Sequence, residues 1–295
     1  MRIERAGFGS TVQDRGRFGF VREGVPASGA ADPFAFRAAQ ALVGNAPGDA
    51  GIEAVGLPFS FRCEVSRIIA VTGRDVSVTV RDSMPAWTSL FVRGGDLVTI
   101  TGTARSRYTY VAVSGGIATP FVLGSRAAYP RAGLGEILRS GDALPLGDAR
   151  LSAEDAGRSL LFEYGDAVAT IPGPHLTRFD DATIARFFSA PFAVSEQSDR
   201  QGVRLEGPEV APREGEILTC GVVAGAVQVP RGGQPIVLLA DHQTTGGYPI
   251  IATVIGADLG LLAQRAPGET LTFYRVERED ALLRGRKRAA SLASA

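Results

Sequence analysis

Short stretches in which β-branched and aliphatic residues alternate with polar ones recur along the chain: Arg67 to Thr72, Val76 to Arg81, Leu97 to Thr101, Tyr108 to Val113, Val222 to Val229, Pro235 to Ala240 and Thr270 to Val276. A period of two turns one face of a strand to a core and leaves the other to polar surroundings. Glycine or proline interrupts almost every gap. Three similar signals, Gly95-Asp96, Gly141-Asp142 and Gly268-Glu269, each predict a tight turn leading into a short strand. Many short strands joined by tight turns predict an all-β chain built as barrels, with few helices.

Helical periodicity is scarce. Asp32 before Pro33 is an N-cap followed by proline in the first turn, Phe36, Ala39 and Val43 share a face, and Gly44 supplies a stop. Asp180 or Asp181 is positioned to cap a second helix carrying Ile184, Phe187 and Phe188, and Asp258 a third carrying Leu259 and Leu262. Such helices are expected to seal barrel ends. A polar run from Ser152 to Ser159 predicts a boundary, giving one β-barrel-like domain over residues 1–160 and a second over 161–280. The charged, then Ala/Ser-rich residues 281–295 are expected to be disordered.

Composition narrows the functions. At 295 residues, two domains are the default. Thirty-one basic residues balance thirty-one acidic ones, so the broad positive field that nucleic acid needs is missing. Lys287 is the single lysine, leaving arginine as the cation, and guanidinium suits planar carboxylates and amide oxygens. Cys63 and Cys220 are too few for a disulfide scaffold; the N-terminus lacks a signal-peptide core, and no apolar run reaches the roughly 18 residues a membrane span needs. A cytoplasmic protein with neither membrane nor nucleic-acid partner is the expectation.

Several chemistries find no match. With only His175 and His242, and neither cysteine in a paired motif, no catalytic metal is expected. There is no Gly-x-x-x-x-Gly-Lys-Ser/Thr loop, and Gly7-Phe8-Gly9 departs from the dinucleotide fingerprint because Val12 stands at its third glycine. Cys220, in an apolar strand-like context, reads as structural.

What remains is three glycine-bracketed polar clusters. The first runs from Gly9 to Arg17, continuing at Gly24 to Asp32, and carries Gln13, Asp14 and Arg17; turns fixed by Asp and Gly would also explain it. The second, Ser195 to Pro208, carries Asp199, Arg200 and Arg204, and would equally suit a solvated ion-paired loop. The third brings Gln228, then an apolar strand, then Asp241-His242-Gln243-Thr244-Thr245-Gly246-Gly247-Tyr248-Pro249. An apolar strand ending in amides, hydroxyls and a Gly-Gly turn predicts a ligand rim at a strand mouth, with a polar hairpin as the plain alternative. Such side chains suit a planar N–C=O unit, as in an amide, lactam, urea or carboxybiotin. Asp241, Asp199 and His242 are the candidate catalytic groups for moving a proton, with the choice among them open.

These blocks, with Val43-Gly44-Asn45, Glu53, Val122-Leu123-Gly124-Ser125-Arg126 and Tyr129, make the chain resemble the allophanate hydrolase subunit 2 family. That is a biotin-dependent carboxyltransferase domain family that includes bacterial 5-oxoprolinase subunits. The matching blocks span nearly the whole chain in order. They bring Arg126 into a candidate substrate-binding set of Gln13, Asp14, Arg17, Arg126, Arg200, Arg204, Gln228, Gln243, Thr244, Thr245, Gly246, Gly247 and Tyr248. Departures from the family pattern are His242 for Arg, Gln201 and Ala31 for Met, and a shortened segment at Pro130 to Glu136.

The resemblance implies two cyclophilin-like β-barrel domains. It also implies two partners, a smaller allophanate hydrolase subunit 1-like chain and a third, lactam-utilisation-type subunit. The leading expectation is an ATP-dependent 5-oxoprolinase subunit, inactive alone, with ATP bound with or by the partners; no biotin carboxylase, amidase or carrier segment is expected in the chain. The alternative is a carboxyltransferase component acting on urea or another small amide, with biotin as cofactor. A further alternative is a non-catalytic regulator, because the family includes antagonists of a kinase inhibitor.

Overall fold

In the computed structural model, which describes residues 1–293, the alternating segments become strands that pair within two separate units. The first contains Met1–Arg17, Ser28–Glu163 and the described residues 289–293; the second contains Phe18–Ala27 and Tyr164–Arg288.

The first unit has two five-stranded sheets. One runs edge to edge through Arg2–Arg5 (β1), Phe59–Arg62 (β4), Leu97–Gly102 (β9), Val76–Thr79 (β6) and Ser83–Met84 (β7). The other runs through Thr11–Gln13 (β2), Gly51–Ala54 (β3), Thr109–Val113 (β10), Arg67–Gly73 (β5) and Ser89–Val92 (β8). Ile3, Phe59, Phe61 and Val98 from the first sheet share one buried cluster with Ile52, Ile69, Val71 and Val111 from the second. Helix α1, Pro33–Leu42, starts where Asp32 Oδ1 accepts the amides of Phe34 and Ala35, both at 3.1 Å. It lays Ala35, Phe36, Ala38, Ala39 and Leu42 against β5 and β10.

In the second unit the strands close into a seven-stranded barrel: Ala167–Pro172 (β11), Ile250–Val254 (β18), Ala226–Gln228 (β15), Ile236–Leu238 (β16), Gly202–Glu206 (β13), Phe192–Val194 (β12) and Thr270–Arg275 (β19). The parallel pairing of β11 with β19 closes the ring, abolishing free edges. Outside it, Cys220–Gly221 (β14) pairs with Thr245–Gly246 (β17). Helix α2, Asp181–Ser189, capped by Asp180 through the Thr183 amide, stacks Phe187 on Phe273 at 4.8 Å between ring centres. Helix α3, Leu259–Ala263, lies in the same unit, and α4, Arg278–Ala293, follows β19.

Three local expectations are corrected. The tail expected to be disordered over 281–295 is helical as far as Ala293, because Ala, Leu, Arg and Lys are strong helix formers and Glu279 and Asp280 occupy the first turn; residues 294 and 295 lie outside the described residues. Gly141-Asp142 leads into a single bridge, Arg2 to Ala143, rather than a strand. Asp258 precedes α3 but does not cap it, since its Oδ2 accepts the Ala169 amide at 2.9 Å. No helix among the described residues is long and apolar enough to cross a membrane.

Candidate functional site

Strands β15, β16 and β13 lie side by side in the barrel, with Gln228 opposite Ile236, Ile236 opposite Arg204, and Leu238 opposite Gly202. Val203, Val227 and Val237 on these strands are fully buried. Because alternate residues point to opposite faces, Gly202, Arg204, Gln228, Ile236 and Leu238 share the other face. Loop residues Gln197, Asp199, Gln201, Gln243 and Tyr248 join them around a cleft of about 170 Å³. The second and third polar clusters therefore meet, on the side of the barrel sheet rather than at a strand mouth.

The loops are fixed by hydrogen bonds. Asp199 Oδ1 accepts the amides of Gln201 (2.8 Å) and Gly202 (3.3 Å). Arg200 lays its guanidinium flat on Asp241, Nε to Oδ2 at 2.7 Å and Nη2 to Oδ1 at 3.0 Å, while the Asp241 amide donates to the Arg200 carbonyl at 2.9 Å. Asp241 is buried and both its oxygens hold Arg200, so the pair clamps one loop to the other. His242 Nδ1 donates to the Gln243 carbonyl at 2.6 Å, and burial lowers the imidazole pKa below its usual 6.5. Of the three candidate proton-moving groups, only Asp199 lines the cleft.

Gln228 is the buried polar group of the site. It is 1% exposed; its Oε1 accepts from Gln243 Nε2 at 3.1 Å, while its own Nε2 has no hydrogen-bond partner among the described residues. A buried donor left without an acceptor costs about 1–3 kcal/mol, which a ligand oxygen would recover. The β17 segment approaches this amide closely enough that a Cβ on Gly246 would lie 2.4 Å from Nε2. Carbonyls of Thr244 and Gly247 are spent on the amides of Val222 and Ile217, which fixes this stretch beside Gln228 through its backbone.

Gln13, Asp14, Arg17 and Arg126 belong to the first unit, where they brace the loop over residues 119–128. Asp14 accepts from the Gly16 amide (2.8 Å), Ser125 Oγ (2.7 Å) and the Arg126 amide (2.6 Å). Arg17 donates to the carbonyls of Val122 and Ala127, and Gln13 to Thr11 Oγ1 and the Ala128 carbonyl. Arg126 donates to the Thr119 carbonyl and lies 3.7 Å from the centre of the Phe121 ring. Arg17 and Arg126 share a cleft of about 400 Å³ in this unit.

Residues 23–275 match the family described as carboxyltransferase domain, subdomain A and B. The chain belongs to that family. It is 37% identical over 290 residues to a 5-oxoprolinase subunit of Escherichia coli, covering 96% of this chain and 93% of that protein. Among solved structures it is similar to the urea amidolyase of K. lactis, with a TM-score of 0.88 and 27% identity, over 99% of this chain and 19% of that one. It is also similar to the protein TTHA0988, with a TM-score of 0.85 and 31% identity, over 92% of this chain and 55% of that one.

In this carboxyltransferase-family chain, the lining residues Gln197, Gln201, Gly202, Ile236 and Leu238 fall outside the set expected from sequence. Gln197, Asp199 and Gln201 lie within the unbroken polar run Ser195 to Gln201, so no alternation singles them out. Conversely, Arg200, Asp241, His242, Thr244, Thr245, Gly246 and Gly247 do not line the cleft but support residues that do.

Proposed function

We propose that this carboxyltransferase-family chain is a subunit of an ATP-dependent 5-oxoprolinase, converting 5-oxoproline, ATP and water to glutamate, ADP and phosphate. It acts in the cytoplasm with an allophanate hydrolase subunit 1-like chain and a third, lactam-utilisation-type subunit. Similarity to the E. coli 5-oxoprolinase subunit along nearly the whole chain supports this reading. The observation that carries its chemistry is Gln228, a buried amide donor without an acceptor among the described residues, beside a small cleft.

In this reading Gln228 Nε2 donates to the lactam oxygen, exposed Arg204 faces the ring carboxylate, and Asp199 accepts the lactam N–H. Arg200 and Asp241 position the loops, and His242, kept neutral by burial, holds the Gln243 backbone. Sites for drug-sized ligands begin near about 300 Å³. A cleft of about 170 Å³ suits a small lactam and does not fit a nucleotide, so ATP is bound with or by the partner subunits. The bound nucleotide supplies activation of the lactam carbonyl; this chain holds and orients the ring.

The test is co-expression with both partner subunits, measuring ADP release that depends on 5-oxoproline. The chain alone should show none. The complete set should turn over, and Gln228→Leu should lower kcat/KM roughly tenfold to a hundredfold with an unchanged circular dichroism spectrum. A complete set without turnover, or full activity in Gln228→Leu, overturns the reading. The structural similarity to K. lactis urea amidolyase favours a second reading, transfer of a carboxyl group from a biotinylated carrier to urea; carboxylation of urea requiring that carrier would select it.

A further inference from the structure

The first unit holds a cavity of about 330 Å³ that the proposed lactam chemistry does not use, lined by Asp14, Arg15, Ser28, Phe36 and Arg37 among others. Ser28 is 8% exposed, and its hydroxyl has no hydrogen-bond partner among the described residues. Its φ of 56° is left-handed, a conformation that favours glycine. Neither backbone nor internal hydrogen bonding thus accounts for serine at this position.

The surrounding loops are braced. A Cβ on Gly29, whose φ is 87°, would lie 3.0 Å from the Gly16 nitrogen and 3.1 Å from the Asp14 carbonyl oxygen, so residues 14–16 and 28–30 are in direct contact. Behind them, buried Glu53 accepts the Ala31 amide at 2.8 Å and the Tyr110 hydroxyl at 2.9 Å, and that hydroxyl accepts the Asp32 amide at 2.7 Å.

The charges select the ligand. The Asp14 carboxylate is occupied on both oxygens by Gly16, Ser125 and Arg126. The first amides of α1 are held by Asp32, so the helix end offers no anion site. Arg15 and Arg37 bring guanidinium groups to the cavity, and Phe36, Ala30 and Pro33 give it an apolar wall. Guanidinium matches the planar geometry of a carboxylate. We propose that this cavity is a second ligand site, binding a small organic acid whose carboxylate is held by Arg15, Arg37 and the Ser28 hydroxyl while its flat apolar body lies against Phe36. Its volume is in the range of small-molecule sites.

Benzoate titrated into the full chain, followed by calorimetry and by saturation-transfer NMR, tests this directly. Saturable one-to-one binding is expected. Ser28→Gly removes the hydroxyl at a position whose backbone suits glycine, so the fold should persist while affinity falls about fivefold. Arg37→Ala, at an exposed position, should weaken binding about tenfold or more, and Arg37→Lys by less. Arg204→Ala, in the barrel cleft, should change nothing. Absence of saturable binding, or binding indifferent to both Ser28→Gly and Arg37→Ala, overturns the site. Displacement by an equal concentration of inorganic phosphate overturns the apolar-body assignment.

Discussion

Two adjacent glycines have different surroundings. A Cβ on Gly246 would come within 2.4 Å of Gln228 Nε2, whereas on Gly247 the nearest atom would be the Ile217 carbonyl oxygen at 3.5 Å, an ordinary contact. Overpacking a fixed group typically costs about 1–3 kcal/mol, and a tolerated substitution less than about 0.5 kcal/mol. Gly246→Ala is therefore expected to lower unfolding free energy in urea by the larger amount and Gly247→Ala by the smaller; equal losses would show that Gln228 is not held where the structure places it. The sequence marks the Gly-Gly pair as special without revealing which member approaches another group, because that neighbour is 18 positions away along the chain. Asp241 has the same lesson. Its residue type announces proton chemistry, but both oxygens carry the Arg200 fork, and removing one partner of a buried pair costs about 3–5 kcal/mol. Loss of activity in an Asp241 variant is thus expected to come with loss of stability.

At the scale of elements, what is local was legible. Helix α1 begins at the cap read from Asp32, and of the two candidates Asp180 and Asp181 it is Asp180 that caps α2, since a cap is decided within four residues. Strands β5, β9 and β19 start at the residues their alternation marks, Arg67, Leu97 and Thr270. What depended on a distant partner was not legible: Asp258 serves β11 rather than its own helix, and the residues after Gly141-Asp142 meet the β1 edge only through the single bridge of Ala143 with Arg2. Helix α4 has a charged, Ala/Ser-rich composition that resembles that of a frayed tail and masks its helix propensity. It buries no residue, so its stability rests on that propensity and on contacts such as Arg284 beside Tyr274. Gly285 lies in its middle, with open space where a Cβ would stand. Gly285→Ala should stabilise the helix by about 0.5–1 kcal/mol, read as slower amide exchange across residues 278–293. Unchanged or faster exchange there would mean that the segment is not an independent helix.

At the scale of the whole molecule, the pattern of strands told how much β structure to expect but not which loops would meet. Convergence is set by pairings such as β11 with β19, about a hundred residues apart, and by the assignment of Phe18–Ala27 to the second unit although residues on either side of it belong to the first. This is why Gln13, Asp14 and Arg17 have their own network while the clusters around residues 200 and 245 share a cleft. The same topology makes a testable prediction. Leu161 is 99% exposed and Glu163 is exposed, so a specific protease site inserted between Glu163 and Tyr164 should be tolerated and cut without unfolding either unit. The barrel would then keep Phe18–Ala27 as a segment no longer covalently continuous with it. The nicked pieces are expected to co-elute in native size-exclusion chromatography and to separate in denaturant. A C-terminal piece refolded alone should melt below the nicked pair, and a peptide spanning residues 18–27 should raise its melting temperature with increasing concentration, because a segment that binds only the folded barrel stabilises it by mass action. If the peptide leaves the melting temperature unmoved at saturating concentration, Phe18–Ala27 is not an integral part of the second unit.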